Sequence, residues 1–408
     1  MDRVILHCDM NGFFASVELL DHPELRNVPM AVCGSPDNRH GIILAKNELA
    51  KKAGVVTAET LWQARKKCPD LQFVRPHHEK YKKYSLMINE IYYRYTDMVE
   101  PFSIDESWLD VTASRTLFGT GKEIADNIRE TVKKELGLTL SVGVSFNKIF
   151  AKMGSEYKKP DATTEITRDN FKDILWPLPI NELFFVGRAS AEKLRSFGIR
   201  TIGDLAVSDL EWLEKQFGKH GVMMYEYANG LENSPVALAS EKQKIKSVGN
   251  GITFKRNLTT EEDIRIAVMK LSDTVSGRLR KYQLKCAGVK VDIKDSNLKT
   301  ISRQSQLDFS TNTAEDISAA AIEIIKRSWK VGENPIRLIT ITGINLHDEN
   351  EAQQLTLWNR NEEARMDSEK LGRTMDTIRE KFGKNAITFG SIIGNDIGID
   401  LHEETEEE

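Results

Sequence analysis

Over the first 150 residues, apolar runs and helical patterns alternate in an order that few architectures accommodate. VILHCDM (4–10) reads as a strand, and PMAVCG and GIILAKN follow as two more short strands. A helical pattern from about His78 to Met98 then places Leu86, Ile88, Ile91, Tyr92 and Tyr95 near one face. EPFSIDESWLDVT is β-rich on both sides of Asp105-Glu106 and reads as a hairpin, GKEIADNIRETVKKEL is an amphipathic helix, and TLSVGVSF is the next strand. Strand, helix, hairpin, helix, strand is the split β-α-β order of a ferredoxin-like sheet, and it predicts an α/β (α+β) start to the chain.

The rest of the chain needs further domains, because 408 residues exceed what one core normally serves. From about Asn170 to Asn233 the pattern turns helical, with Gly187, Gly198 and Gly203 as punctuation, and the aperiodic NSPVALASEKQKIK reads as a linker. Beyond it SVGNGITF, KCAGVKVDI, TISRQSQLDF and PIRLITITGINL read as strands, with helices at Glu261–Lys281 and Ala314–Lys330, a second α/β unit. With 40% hydrophobic and 29% charged residues, a globular protein is expected. No run reaches the roughly 20 apolar residues of a membrane span. Met1-Asp2-Arg3-Val4 leads directly into the first strand, so no signal peptide is expected and the protein is expected in the cytoplasm, with no membrane partner. Cys8, Cys33, Cys68 and Cys286 are far apart with no C-x-x-C pair, which argues against a zinc site or a disulfide framework and predicts buried free thiols.

The formal charge of -4 conceals an asymmetry: residues 242–347 carry 19 Lys and Arg against 11 Asp and Glu, whereas 348–408 carry 7 against 16. A basic block followed by an acidic end suggests a polyanion-binding domain, although such blocks are equally often solvated faces. Asp9 closes the first strand, and Asp105 with Glu106 occupies the hairpin tip. Carboxylates brought together repel unless a cation joins them, so convergence here would suit Mg²⁺ and phosphoryl transfer, with two ions about 4 Å apart; alternatively, each acid is a surface turn residue.

CDMNGFFASVE and SIDESWLDVT resemble, in order, the two metal-binding motifs of Y-family DNA polymerases. NELAKKAGV is similar to that family's finger segment, SVGVSFNKIFAKMGSEYKKP to the end of its palm, VGRASAEKLRSFGIRTIGDL to its thumb and SVGNGITFKRNL to the start of its little finger. The resemblance spans about residues 3–347 and points to the bacterial DNA polymerase IV group. It implies a ferredoxin-like palm with fingers at 1–170 (fingers about 24–78 inserted), a helix-hairpin-helix thumb at 171–233, a linker at 234–246, an α/β little finger at 247–347 and a tail at 348–408. The implied activity is low-fidelity, template-directed DNA synthesis past damaged bases by a monomer, using primer-template DNA, dNTPs and two Mg²⁺ ions. Asp9 and Asp105 would hold both ions, Glu106 would complete the catalytic-metal site, and the Met10 carbonyl would add a ligand. Phe14 matches the steric gate, an aromatic ring that leaves no room for a ribose 2′-hydroxyl; its neighbour Phe13 falls in the same nucleotide-binding segment and reads as core.

For the triphosphate, Lys159 in EYKKP matches a palm lysine of the family. The finger helix departs from the pattern: with Gly54 as anchor, Glu48 stands at the usual tyrosine and Lys51 at the usual arginine. Lysine keeps the charge but loses the bidentate fork, so Asn47, Lys46 and Lys52 stay open as substitutes. If the resemblance holds, Ile42 and Leu44 are the residues that would crowd the templating pair.

FFVGRASAEKLRSFGIRTIGDL, two short helices around a glycine, matches a helix-hairpin-helix, in which backbone N–H groups meet a DNA phosphate; Gly187 and Gly198 would be the close-approach positions, with Arg188 and Lys193 adding charge. In the basic block Lys255, Arg256, Arg278, Lys290, Lys294 and Arg303 are the expected DNA contacts. Alternation in GVKVDIK puts Lys290, Asp292 and Lys294 on one face, away from Val289, Val291 and Ile293. Gln354-Leu355-Thr356-Leu357-Trp358 resembles the peptide that docks bacterial polymerases on the β sliding clamp, with Gln354, Leu355, Leu357 and Trp358 as clamp-binding residues. Two rival readings are a scaffold of the same fold whose chemistry has lapsed, kept open by Glu48, and a palm-domain nucleotide cyclase, for which the helix-hairpin-helix and the basic block would be superfluous.

Overall fold

The computed structural model describes residues 2–34, 41–241, 244–351 and 362–399. The clamp-like peptide Gln354, Leu355, Leu357 and Trp358 lies outside them. The chain divides into two compact units that part after Lys242.

Among the described residues, eight strands belong to the first unit: β1 (Ile5–Met10), β2 (Met30–Cys33), β3 (Ile43–Lys46), β4 (Gln72–Val74), β5 (Val99–Pro101), β6 (Glu106–Asp110), β7 (Leu140–Ser145) and β8 (Thr163–Ile166). Five of them form one sheet in the order β5-β6-β1-β7-β8, so β1 is central and the split β-α-β order holds. Strand alternation gives β1 two different faces. Leu6, Cys8 and Met10 point into a core filled by Ile88, Ile91 and Tyr92 of the helix His78–Tyr93 and by Ile124, Ile128 and Val132 of the helix Gly121–Leu136. Ile5 faces the other way, packing with Trp108 and with Ala151 of the helix Lys148–Tyr157. The first of these helices stops at Tyr93, short of the expected Met98, because Met98 is already engaged by the sheet: its carbonyl accepts from Asp110 N–H at 3.0 Å. Leu86, expected on the packed face, is exposed.

A smaller sheet, β3-β2-β4, carries the short helices Glu48–Lys52 and Leu61–Lys67. The segment after β8 is helical, and its core of Leu175, Leu194, Ile202, Leu205, Leu213 and Met224 runs on into Phe146 and Phe150 beside the large sheet.

In the second unit β9 (Val248–Leu258), β10 (Leu284–Asp295), β11 (Thr300–Thr311) and β12 (Ile336–Asp348) pair antiparallel in the order β11-β10-β12-β9. Helices Glu261–Lys281 and Ala314–Ser328 cover the face carrying Val289, Val291 and Ile293. The residues read from sequence as a tail join this unit. Ile392, Ile397 and Ile399 enter its core, and Lys255 N–H donates to Ile397 O at 2.9 Å. The helix Glu362–Phe382 is fastened by paired contacts from Arg280 to Asp376 (2.6 and 2.9 Å) and from Arg379 to Asp273 (3.0 and 2.8 Å).

All four cysteines are buried free thiols. Among the described residues no helix is long and apolar enough to cross a membrane.

Candidate active site

Asp9 and Glu106 stand directly opposite each other on β1 and β6, two antiparallel neighbours, so their side chains share a face. Two residues back the same rule pairs His7 with Trp108, whose rings meet edge-on at 5.2 Å. The helix Lys148–Tyr157 crosses beneath this face unusually closely: a Cβ on Gly143 of β7 would lie 1.8 Å from Ala151 O and 2.5 Å from Ser155 N. Only glycine permits that approach, and the approach carries Lys152, Ser155, Glu156 and Lys159 to the acids of β1 and β6.

Carboxylate oxygens of Asp9, Glu106 and Glu156 lie within 4.8 Å of one another. Asp105, expected as a member of this group, is at the adjoining turn: its carbonyl accepts from Met10 N–H at 3.1 Å and its carboxylate from Ser103 Oγ at 2.7 Å. Burial raises the Asp105 pKa, and the Glu106 charge raises it further. Glu156 was missed in the sequence because its helix face becomes known only once the helix is docked; the available sign was Lys152-x₃-Glu156, a cation and an acid one turn apart.

Burial pushes the Asp9 pKa up to about 8 against the pull of Lys159, with Glu156 and Glu106 adding repulsion. Burial also works upward on Glu106, but His7 and Lys152 outweigh it and hold this acid down to about 2. Lys152 donates to Glu106 Oε2 at 2.8 Å while its ammonium lies over the rings of Phe102 and Phe184, 5.8 and 5.4 Å from their centroids. His7 donates or accepts at Ser155 Oγ through Nδ1 (2.8 Å), and burial lowers its pKa to about 4, leaving the ring neutral. Lys159 Nζ lies 2.8 Å from Asp9 Oδ2 and 2.9 Å from Glu156 Oε1. The geometry at Asp9 is not that of a hydrogen bond, so Oδ2 is buried without a hydrogen-bond partner among the described residues. Three carboxylates gathered this closely, with the Lys159 ammonium as the cation now between two of them, are a donor set suited to a hard divalent cation.

The remaining site residues fall into distinct environments. Phe13 is buried in the core, so only its backbone can face a nucleotide, whereas Phe14 is half-buried and stacks on Tyr81. Asn47 caps the helix Glu48–Lys52: its side-chain oxygen accepts from Ala50 N–H (3.0 Å) and Met30 N–H (3.1 Å), and its nitrogen donates to Val28 O (2.8 Å). Among the described residues one N–H is left uncommitted, so Asn47 is a fold residue first. Lys46 donates to Thr57 Oγ1 at 2.9 Å. Lys51 and Lys52 are exposed, and Lys51 lies 3.7 Å from Glu48, so the two departures from the family pattern offset each other's charge.

Gly187 begins the helix Arg188–Ser196 with no side-chain cap and open space around it, leaving first-turn N–H groups without an intrahelical acceptor. Gly198 ends that helix region with φ 89°, a conformation that glycine adopts without strain. Arg188 is exposed and pairs with Glu192, while Lys193 is tied to Gln216 O at 2.6 Å. In the second unit Lys290 and Lys294 share the open face of β10, as alternation predicts. Arg303 is in register with Val291, which puts it on the opposite, helix-bearing face. Arg256 is held by Asp263 and Asp396, and Arg278 donates to Gly249 O at 3.0 Å, so both serve the fold; Lys255 is exposed.

Comparison with known proteins adds three matches along the chain: the impB/mucB/samB family over residues 8–156, the DNA polymerase-iota thumb domain over 182–232 and the impB/mucB/samB family C-terminal domain over 245–357. The DNA polymerase IV of Acetivibrio thermocellus is 46% identical over 393 residues, covering 96% of this chain and 98% of its own. That of Clostridium kluyveri is 38% identical, covering 96% and 99%, and DNA polymerase IV 1 of Bacillus subtilis is 36% identical, covering 96% and 93%. Among solved structures a Y-family DNA polymerase chimera superposes with a TM-score of 0.74 at 24% identity, over 84% of this chain and 98% of that one.

Proposed function

Given that the chain belongs to the Y-family DNA polymerases, in the DNA polymerase IV group, we propose that it extends primers past damaged template bases by a two-magnesium mechanism centred on Asp9, Asp105 and Glu106. It is a DNA-directed DNA polymerase, and its substrates are template DNA and dNTPs. The observation that carries the mechanistic reading is the direct opposition of Asp9 and Glu106 on adjacent central strands, with Asp105 at the adjoining turn.

Asp9 and Glu106, with Asp105 and the Met10 carbonyl alongside, are the groups that would hold the ions. When bound, magnesium lowers the pKa of the primer 3′-hydroxyl and balances charge on the leaving pyrophosphate. Lys159, on a flexible stem between Asp9 and Glu156, supplies a mobile positive charge for the triphosphate. Lys152, which donates to Glu106 Oε2, keeps that carboxylate in its ionised form, which is the form a cation needs. Phe14 excludes the 2′-hydroxyl by shape.

Lesion tolerance follows from a small roof. The fingers are a sheet of strands three or four residues long with helices of five and seven residues, and Ile42 is partly exposed there, so little surface is available to test the shape of a base pair. Fingers about 24–78, thumb 171–233 and little finger 247–347 are the assignments this reading uses. The first-turn amides after Gly187 meet a DNA phosphate, and Lys255, Lys290 and Lys294 grip the backbone without reading sequence. The peptide from Gln354 to Trp358 docks the monomeric enzyme on the β sliding clamp.

Primer extension on undamaged and abasic templates tests this. Wild type should extend both with Mg²⁺, and Asp105→Ala should lose at least about a hundredfold on each, as expected when one charged group of a phosphoryl-transfer centre is removed. Undiminished extension by Asp105→Ala would remove that residue from the centre.

A further inference from the structure

We propose that Glu18 is a positioning residue for sugar selection: through the hydroxyl of Tyr81 it fixes the ring of Phe14 at the place where a ribose 2′-hydroxyl would have to fit. The inference deepens the reading of Phe14 as the steric gate and rests on it.

Glu18 is the anomaly that points there. It is a carboxylate at 1% exposure on a helix whose other buried residues are Phe13, Ala15 and Val17. Burying such a group is costly unless its oxygens are fully satisfied, and an apolar residue of similar size would serve packing alone at least as well. Its partners all come from one stretch of chain. Tyr81 OH donates to Oε1 at 2.5 Å, His77 Nδ1 lies 3.0 and 3.1 Å from the two oxygens, and Lys80 Nζ stands 3.8 Å from Oε2. The carboxylate therefore ties the helix Phe13–Asp21 to the start of the helix His78–Tyr93.

Phe14 and Glu18 are four residues apart on one helix, which places them on the same side, one turn from each other. Tyr81 reaches both: its hydroxyl goes to Glu18, and its ring lies against that of Phe14 with centroids 4.1 Å apart and planes only 13° from parallel. The two rings are thus in close stacking contact, and the hydroxyl bond to Glu18 holds the Tyr81 ring from its far end. The circuit is closed: helix to Phe14, Phe14 to Tyr81, Tyr81 to Glu18, and back to the helix. His78 packs edge-on against both rings, at 5.9 Å from Phe14 and 5.7 Å from Tyr81. A gate that rejects one oxygen atom must be held to within roughly 0.5 Å, and a stacked ring whose far end is hydrogen-bonded to the gate's own helix provides that.

The test compares kcat/KM for dCTP and CTP in primer extension by full-length wild type, Phe14→Ala, Tyr81→Phe, Glu18→Gln and the Glu18→Gln/Tyr81→Phe double variant. Both single tether variants nearly preserve shape, and melting temperatures are recorded alongside. Tyr81→Phe keeps the ring and loses the bond, so the preference for dCTP should fall about tenfold, the worth of one hydrogen bond to a charged group. Glu18→Gln retains an acceptor and should fall between wild type and Tyr81→Phe. The double variant should be no worse than Tyr81→Phe, because both changes break the same bond. If Phe14→Ala admits CTP while both tether variants keep wild-type preference, with only their melting temperatures lowered, Glu18 is merely structural and the proposal fails with the gate intact. Losses that multiply in the double variant would also overturn it. If Phe14→Ala itself leaves the preference unchanged, the gate reading falls and takes this inference with it.

Discussion

Asp9 carries opposite demands. Its carboxylate is buried at the end of the central strand, where it is useful to a cation and costly to the fold, and burial raises its pKa from 3.8 to about 8. Between those values the folded protein binds a proton that the unfolded chain has released, so stability falls as pH rises through that window. Asp9→Asn should therefore abolish primer extension, flatten this decline and raise the melting temperature of the Mg²⁺-free protein at pH 8 by a few degrees, at about 2–4 °C per kcal/mol. Calorimetry across pH 5–8 checks this; a variant that melts below wild type at pH 8 would show that loss of the Lys159 contact outweighs relief of the buried charge. At this scale the sequence was informative where chemistry and strand position coincide, as at Asp9 and Glu106, and silent where a side chain's partners come from elsewhere. Nothing in N47ELAKK reveals that Asn47 spends its amide on Val28, Met30 and Ala50, or that Glu48 and Lys51 face each other.

The helix Lys148–Tyr157 delivers half of the site, and its approach to the sheet depends on Gly143. Gly143→Ala would place a methyl against backbone atoms that cannot rotate away, so the helix must shift. Overpacking of this kind costs roughly 1–3 kcal/mol, and here it also displaces Lys152, Glu156 and Lys159. The variant should fold, melt lower and lose at least about tenfold in kcat/KM for dNTPs, since misplacement near 1 Å can cost about a hundredfold; unchanged kinetics in a destabilised variant would mean that the helix position is slack. Element boundaries were legible where a cap and a periodic face agree, as at Gly121–Leu136 with its Thr120–Glu123 capping box. They were misjudged at Tyr93, where helical periodicity runs on but the ladder to Asp110 takes over the backbone. Glu156 escaped notice for a related reason: which helix face meets the carboxylates is decided by a glycine contact that no periodicity contains.

Across the whole chain, the charge asymmetry of the sequence means something different from its first reading. Arg280, Arg256 and Lys285, counted in the basic block, are bonded to Asp376, Asp396 and Glu369 of the acidic end. The two blocks in part neutralise each other within the second unit, so fewer cations remain for phosphates than the composition suggests. Ending the chain at residue 351 should consequently unfold or aggregate the second unit, because Arg280 and Asp273 would lose their charged partners Asp376 and Arg379, about 3–5 kcal/mol for each buried pair broken, and the contacts of Ile392, Ile397 and Ile399 would go with them. Limited proteolysis of the shortened and full chains distinguishes this from a dispensable tail, which would leave the protease pattern of residues 244–347 unaltered. The pairing also orders what happens as ionic strength climbs. Arg280 and Asp273 are almost wholly shielded from solvent, whereas Lys255 lies open to it. Mobile ions screen exposed charges far more than enclosed ones, so if Lys255 grips a duplex as proposed, brine should loosen that grip well before it loosens these internal seams: the protein would let go of its substrate and remain itself.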